Sequence, residues 1–155
     1  MKAPPSGIRF PPPAIYALLL GAGFLLHRRW PAAIWPGHVR EMRVAGALLF
    51  AAGAGLGIWA VATFRGARTS PNPMAPTTAL AMKGPYRFTR NPMYLGMSIL
   101  SAGFAVFWNA LWPLLAVPVS MVLVNVLVIA KEEAYLARLF GENYLGYKSR
   151  VRRWL

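Results

Sequence analysis

Long stretches without formal charge alternate with short basic ones along this chain, and that alternation sets out its elements. Residues 10–26 carry no Lys, Arg, Asp or Glu, a run close to the lower limit for crossing about 30 Å of hydrocarbon. Lys2 and Arg9 precede it, and His27, Arg28, Arg29 and Trp30 close it. A cleaved signal peptide is the competing reading. The Pro11-Pro12-Pro13 entry and the lack of a clear small-residue cleavage site favour a retained helix. Residues 28–43 hold two Trp and two Pro and suit an interfacial connector.

The second uncharged run, 44–64, is long enough for a full crossing. Gly46, Gly53, Gly55 and Gly57 lie in it, and small residues let helix backbones approach closely in lipid. A Gly-rich nucleotide loop would need a preceding strand and polar company, and neither is present. Residues 65–90 form a polar loop broken by Ser70-Pro71-Asn72-Pro73 and Pro76. Residues 91–130 are again uncharged. As one helix they would reach about 60 Å, twice the hydrocarbon thickness. The chain must therefore fold back, and the break is expected over 108–113, with Trp108 and Trp112 flanking Asn109 and Pro113 ending the turn. The fourth helix then runs on through 131–140 until Gly141, which suits a C-cap. In the tail, 142–155, Tyr144, Tyr147, Val151 and Trp154 fall near one helical face and Lys148, Arg150, Arg152 and Arg153 cover much of the rest. This is the pattern of an amphipathic helix at a lipid interface.

The expected architecture is thus all-α: a polytopic membrane protein with four transmembrane helices, a cytoplasmic C-terminal pocket and a short interfacial C-terminal helix. One domain covers 1–155, with an N-terminal helical pair over 1–64 and the functional half over about 77–155.

Composition agrees with a bilayer as partner. Hydrophobic residues make up 57% and charged ones 14%, against about 25% charged in soluble domains. A net charge of +13 would suggest nucleic acid in a soluble chain. Here the cations flank apolar spans, where they set orientation. With four crossings, thirteen of the 17 Lys and Arg share one side and four the other. The positive-inside rule makes the richer side, with the N-terminus, the 65–90 loop and the tail, cytoplasmic at an inner membrane. No Cys is present, which removes thiol chemistry, and His27 and His38 are too few and too isolated for a metal site.

Antiparallel pairing of the last two helices brings 91–96 beside 131–133. Glu132 and Glu133 are half of the four acids, placed at the membrane edge where ionisable groups are expensive. They can pair with Lys131 and nearby Arg residues, or accept hydrogen bonds from a ribose or an amino group. Lys83, Arg87 and Arg90 can pair with a ligand carboxylate or phosphate. Tyr86, Tyr94, Tyr144 and Tyr147 can stack on a flat base, although each alone reads as an interfacial anchor. Together these groups suit a zwitterionic, nucleotide-like ligand. They do not describe a hydrolase, since no Ser-His-Asp set appears and the chain has no Asp.

Two stretches carry a resemblance. Thr78-Ala-Leu-Ala-Met-Lys-Gly-Pro-Tyr-Arg-Phe-Thr-Arg-Asn-Pro-Met-Tyr-Leu-Gly96 and Glu132-Glu133-x-x-Leu136-x-x-x-Phe140-Gly141-Glu142-x-Tyr144-x-x-Tyr147-x-x-x-Val151 resemble the isoprenylcysteine carboxyl methyltransferase family. The related phospholipid N-methyltransferases share the Asn-Pro-Met-Tyr-x-Gly and Glu-Glu elements. The resemblance implies an integral membrane methyltransferase using S-adenosylmethionine on a lipid-like or isoprenylcysteine-like acceptor. It implies cofactor contacts from Thr78, Ala79, Leu80 and Ala81, from Tyr86, from Asn91, Pro92, Met93 and Tyr94, and from Glu132. Arg87, Tyr144 and Tyr147 complete the expected cofactor pocket, and Arg90, Glu132 and Glu133 are the candidate catalytic groups. Isoprenylcysteine enzymes usually have His where this chain has Asn91. They also place an Arg one helical turn before the key Glu; here that position is Val128, with Lys131 as a substitute. A carboxylate acceptor needs no base, whereas an amine acceptor needs help from Glu133 or a tyrosine. An NADPH-dependent reductase of sterol-reductase type and a non-catalytic scaffold are the alternatives.

Overall fold

A computed structural model describes residues 7, 8, 10–67, 70, 72 and 75–155. Lys2, Arg9, Pro71 and Pro73, used above to delimit segments, lie outside the described residues. The described chain is helical, with one isolated bridge, Ala33 to Ala110, and no strand.

Helix α1 spans Pro12–Arg29. Prolines fill its first turn, where their missing N–H groups cost no hydrogen bond, and His27, Arg28 and Arg29 occupy its last turn, where positive charge meets the negative end of the helix dipole. Helix α2 spans Val39–Gly66 and α3 Pro92–Phe107. The turn between α3 and the next helix is shorter than expected, because Pro113 sits inside the first turn of α4, Leu111–Val124, rather than ending the connection. Asn109 makes that turn possible with a φ of +52°, a conformation Asn tolerates better than most side chains. A π-helical turn, Asn125–Ile129, then joins α4 to α5, Ala130–Phe140. The three form one rod, Leu111–Phe140. Gly141 ends it with a φ of +52°, in the expected capping position, and α6 follows over Glu142–Arg150.

Helices α2 and α3 run antiparallel and touch backbone to backbone. A Cβ added at Gly53 would lie 2.4 Å from the Leu100 nitrogen, and one at Gly103 2.4 Å from the Phe50 nitrogen. Only glycine permits that approach, and in lipid such seams replace the hydrophobic drive that water would supply. Helix α1 packs on the start of α4 in the same way, Gly23 against Pro113.

The outer faces are apolar: Leu18, Leu48, Ile58 and Val122 are each more than 60% exposed. An unpaired apolar surface of this extent belongs in a bilayer. Two elements are long and apolar enough to cross one, α2 with 28 residues and the Leu111–Phe140 rod with 30. Helices α1 and α3, of 18 and 16 residues, reach about 27 and 24 Å, a little less than the hydrocarbon thickness of about 30 Å.

The tail departs most from expectation. Its helix stops at Arg150, and Val151 turns into extended backbone. Tyr144 and Tyr147 are buried, 2% and 5% exposed, so their face is covered by protein and not by lipid headgroups. Residues 151–155 fold back over the start of α3. The Arg90 N–H donates to the Arg152 carbonyl at 2.9 Å, and Trp154 packs on an apolar cluster of Ile15, Tyr16, Tyr94, Val124 and Val128.

Candidate functional site

At the end of the bundle where α2 finishes, α3 begins and the rod passes Ile129, the helices enclose a cleft. Counting its open mouth, it holds about 710 Å³ of atom-free space. The segment before α3 forms one wall. Gly84 opens a single 3-10 turn, Gly84–Arg87, with a φ of +57°. A Cβ there would meet the Thr63 hydroxyl at 2.7 Å, so glycine is required by conformation and by space together. That turn buries Pro85 and Tyr86, and the Tyr86 ring meets Phe64 of α2 edge-on at 5.2 Å between centroids. Pro92, at the start of α3, then allows the helix to begin at once and carries Met93 and Tyr94 to the cleft.

Of the residues expected at the site, Ala79, Leu80, Ala81, Tyr86, Arg90, Asn91, Met93, Tyr94, Glu132, Glu133, Tyr144 and Tyr147 line this one cleft. Thr78, Arg87 and Pro92 do not: Thr78 and Arg87 are exposed outside it, and Pro92 is buried beneath it. Lys83 and Lys131 are also exposed outside it, and Val128 is fully buried in the apolar cluster.

The joining contact is a hydrogen bond from the Tyr94 hydroxyl to Glu132 Oε2 at 2.9 Å, which ties the start of α3 to α5. The adjacent Glu133 has different company. Arg153 donates to both its oxygens at 2.8 Å, Arg90 Nη1 lies 3.2 Å from Oε1, and Lys148 Nζ lies 3.3 Å from Oε2. Arg153 also donates to Asn125 Oδ1, on the π-turn, at 3.1 Å. Glu133 therefore anchors the wall through contacts to both of its oxygens. Asn91 is likewise engaged structurally, since its side-chain amide donates to the Arg153 carbonyl at 2.8 Å, and the Thr89 hydroxyl donates to the same oxygen.

Three tyrosines complete the lining. The Tyr147 hydroxyl donates to the Tyr86 carbonyl at 2.7 Å, and its ring lies 6.3 Å from that of Tyr144. Burial pushes the Tyr144 phenol up to about 12, with the Glu133 charge adding to the shift. Burial raises Tyr86 and Tyr147 as well. All three are neutral donors at physiological pH. Among the described residues, the buried side-chain polar atoms without a hydrogen-bond partner are Tyr86 Oη, Arg90 Nε and Arg90 Nη1, and both residues line this cleft.

Phe64, Thr77, Ile129 and Leu136 also line the cleft and were missed by sequence reasoning. Ile129 and Leu136 stand three before and four after Glu132, so helical spacing alone places them on its face. Arg153 had no such signal, because no Gly or Pro marks the turn after Arg150. A second groove runs beside the cleft between α2 and α3, lined by Gly53, Gly57, Val61, Gly96 and Leu100, with Arg65 at one end. It encloses about 950 Å³ with its open side included, and Met93 lines both spaces.

Comparison with known proteins bears on this arrangement. The profile of a family described as phospholipid methyltransferase matches residues 42–143, which include every cleft residue named above except Tyr144 and Tyr147. An uncharacterized protein of Haemophilus influenzae is 35% identical over 63 residues, 41% of this chain and all of that one. No solved structure matches.

Proposed function

This chain belongs to the phospholipid methyltransferase family, and on that premise we propose that it is an integral membrane enzyme using S-adenosylmethionine to methylate a lipid-like acceptor. The observation that carries the reading is the Tyr94–Glu132 hydrogen bond, because it joins two segments 38 positions apart inside a tyrosine-lined cleft. The unpartnered donors on Tyr86 and Arg90, which line the same cleft as Glu132, suit a ligand that carries both charges.

When bound, S-adenosylmethionine supplies a methyl group already activated on a positive sulfur. The work left to the chain is to align an acceptor and exclude water, which can account for much of the rate. Glu132 supplies negative charge beside a cationic ligand, fixed in place by Tyr94. For an amine acceptor, Glu132 is also the carboxylate able to receive the proton that leaves nitrogen as the new carbon–nitrogen bond forms. Glu133 is occupied by its cations. The apolar groove between α2 and α3 favours an acceptor whose chain stays in the bilayer while its head enters past Met93. Burial of Val128 leaves no cation one turn before Glu132, which favours a phospholipid-like acceptor over a prenylcysteine. We assign the cleft end to the cytoplasmic side of an inner membrane, with α1, α2, α3 and the rod as four crossings.

The test is ligand-dependent thermal stability of detergent-solubilised protein. S-adenosylhomocysteine at a thousandfold excess over Kd is expected to stabilise by about 4 kcal/mol, an effect lost in Glu132→Gln. Stabilisation by NADPH alone would overturn the reading. Transfer of labelled methyl into extracted membrane lipids identifies the acceptor.

A further inference from the structure

We propose that Tyr16 of α1 is a positioning residue for methyl transfer: acting through Ser98, its hydroxyl fixes Tyr94 and thereby the carboxylate of Glu132. The inference rests on the methyl-transfer reading and adds to it a role for the first helix. Helix α1 lies outside the matched residues 42–143 and contributes no side chain to the cleft. Yet Tyr16, about one turn into α1, reaches the start of α3. Its hydroxyl lies 2.7 Å from Ser98 Oγ and 3.3 Å from the Tyr94 carbonyl, and the Ser98 hydroxyl donates to that same carbonyl at 2.9 Å. Ser98 has one hydroxyl hydrogen to give and the Tyr94 carbonyl takes it, so Tyr16 is the donor of the 2.7 Å bond. The relay therefore runs from Tyr16 to Ser98 to Tyr94. Tyr94 is held at both ends, at its carbonyl by this relay and at its hydroxyl by Glu132 Oε2, 2.9 Å away.

Packing alone does not call for these hydroxyls. Tyr16, Ser98 and Tyr94 are each 4% exposed, and the two tyrosines sit in an apolar cluster with Ile15, Val124, Val128 and Ile129. Tyr16→Phe combined with Ser98→Ala would leave nearly the same shape and no polar group to satisfy, an exchange close to neutral for stability. A buried hydroxyl pair is directional instead, and holds for one placement of α1 against α3. The carbonyl it grips belongs to the residue whose side chain meets Glu132. Ile129, three positions before Glu132, is in the same cluster, so one packed unit joins α1 to both segments that carry the Tyr94–Glu132 bond.

The test uses the full chain in detergent, with Tyr16→Phe, Ser98→Ala and, as a packing control in the same cluster, Ile15→Val. The first readout is independent of catalysis: fluorine NMR of ligand-free protein carrying 3-fluorotyrosine in place of Tyr94. Wild type and Ile15→Val are expected to give one sharp resonance, and Tyr16→Phe and Ser98→Ala a shifted or divided one. The second readout is methyl transfer at saturating substrates. Tyr16→Phe is expected to lower kcat by roughly 10–100-fold, the scale reached by an ångström of misplacement. Ser98→Ala should cost a similar factor, and the two together no more than either alone. In a Tyr94→Phe background, where the bond to Glu132 is already gone, Tyr16→Phe is expected to change kcat by less than about twofold. An unchanged kcat in Tyr16→Phe, the same loss with and without the Tyr94 hydroxyl, or a resonance equally disturbed by Ile15→Val overturns the inference and leaves the methyl-transfer reading standing. Absence of methyl transfer from the wild type refutes that reading, and the fluorine signal still decides whether Tyr16 holds Tyr94.

Discussion

Glu132 and Glu133 are chain neighbours with opposite assignments. Glu132 has one tyrosine hydroxyl as partner and faces the cleft, whereas Glu133 is held by Arg90, Lys148 and Arg153. The substitution Glu132→Gln is therefore expected to abolish donor binding and methyl transfer with little loss of stability. Glu133→Gln is expected to destabilise by roughly 1–3 kcal/mol, the range for partners left unsatisfied when one side is removed. It should not be more, because Lys148 and Arg153 reach solvent and are screened there. Unfolding in detergent beside a methyl-transfer assay distinguishes the two outcomes. Tyr144 adds a pH dependence. Its phenol titrates at about 12 when folded, against an ordinary value of 10.0, so the fold favours the protonated form. The resulting stability is complete below pH 10 and is lost as pH climbs towards 12. A melting temperature that falls across that window, and falls less in Tyr144→Phe, is the expected result. The Glu pair stood out in the sequence because acids are so scarce. Its division of labour was not, since it depends on Arg153, which is distant in sequence and carries no motif.

At the scale of elements, two contacts hold the site's frame. The α2–α3 seam demands glycine where backbones meet and tolerates other residues elsewhere. Gly53→Val is expected to cost about 1–3 kcal/mol or more through overpacking, because its Cβ would strike the Leu100 backbone. Gly55→Ala, which meets nothing within 4 Å, is expected to be neutral or slightly stabilising. The second contact is the fold-back at 151–155. Arg153→Ala frees Glu133 and Asn125 from their shared side-chain partner and is expected to slow methyl transfer by about 100-fold, the scale of an ångström of misplacement. Arg153→Lys should recover only part, since an ammonium cannot fork across a carboxylate. Limited proteolysis reports whether the tail has come loose. Charge-free runs located α1 to α4 to within a few residues, because burial in lipid leaves an unbroken signal. The π-turn and the fold-back left no such trace, as each arises from contacts across the molecule.

For the whole molecule, polarity divides the two ends. Trp30, Trp35 and Trp108 are exposed where the 30–38 connector meets the Asn109 turn, and the Asn109 side chain exchanges two 2.9 Å hydrogen bonds with the Trp35 backbone. The cleft and most cations lie at the other end. Because the chain has no Cys, single cysteines report sidedness without background. With an impermeant maleimide, Pro36→Cys is expected to label in intact spheroplasts and Lys83→Cys only after lysis. The reverse pattern would invert the proposed orientation. Convergence of 91–96 with 131–133 was legible, since antiparallel helices leave little choice.

The fork between Arg153 and Glu133 also imposes an order of events during synthesis. Translation delivers the carboxylate 20 residues before its guanidinium partner, so the rod can insert while that acid still lacks its strongest counter-ion. The wall behind Glu132 sets only once Arg153 has emerged and docked. A chain halted just short of that point would place its helices in the bilayer and yet remain catalytically silent.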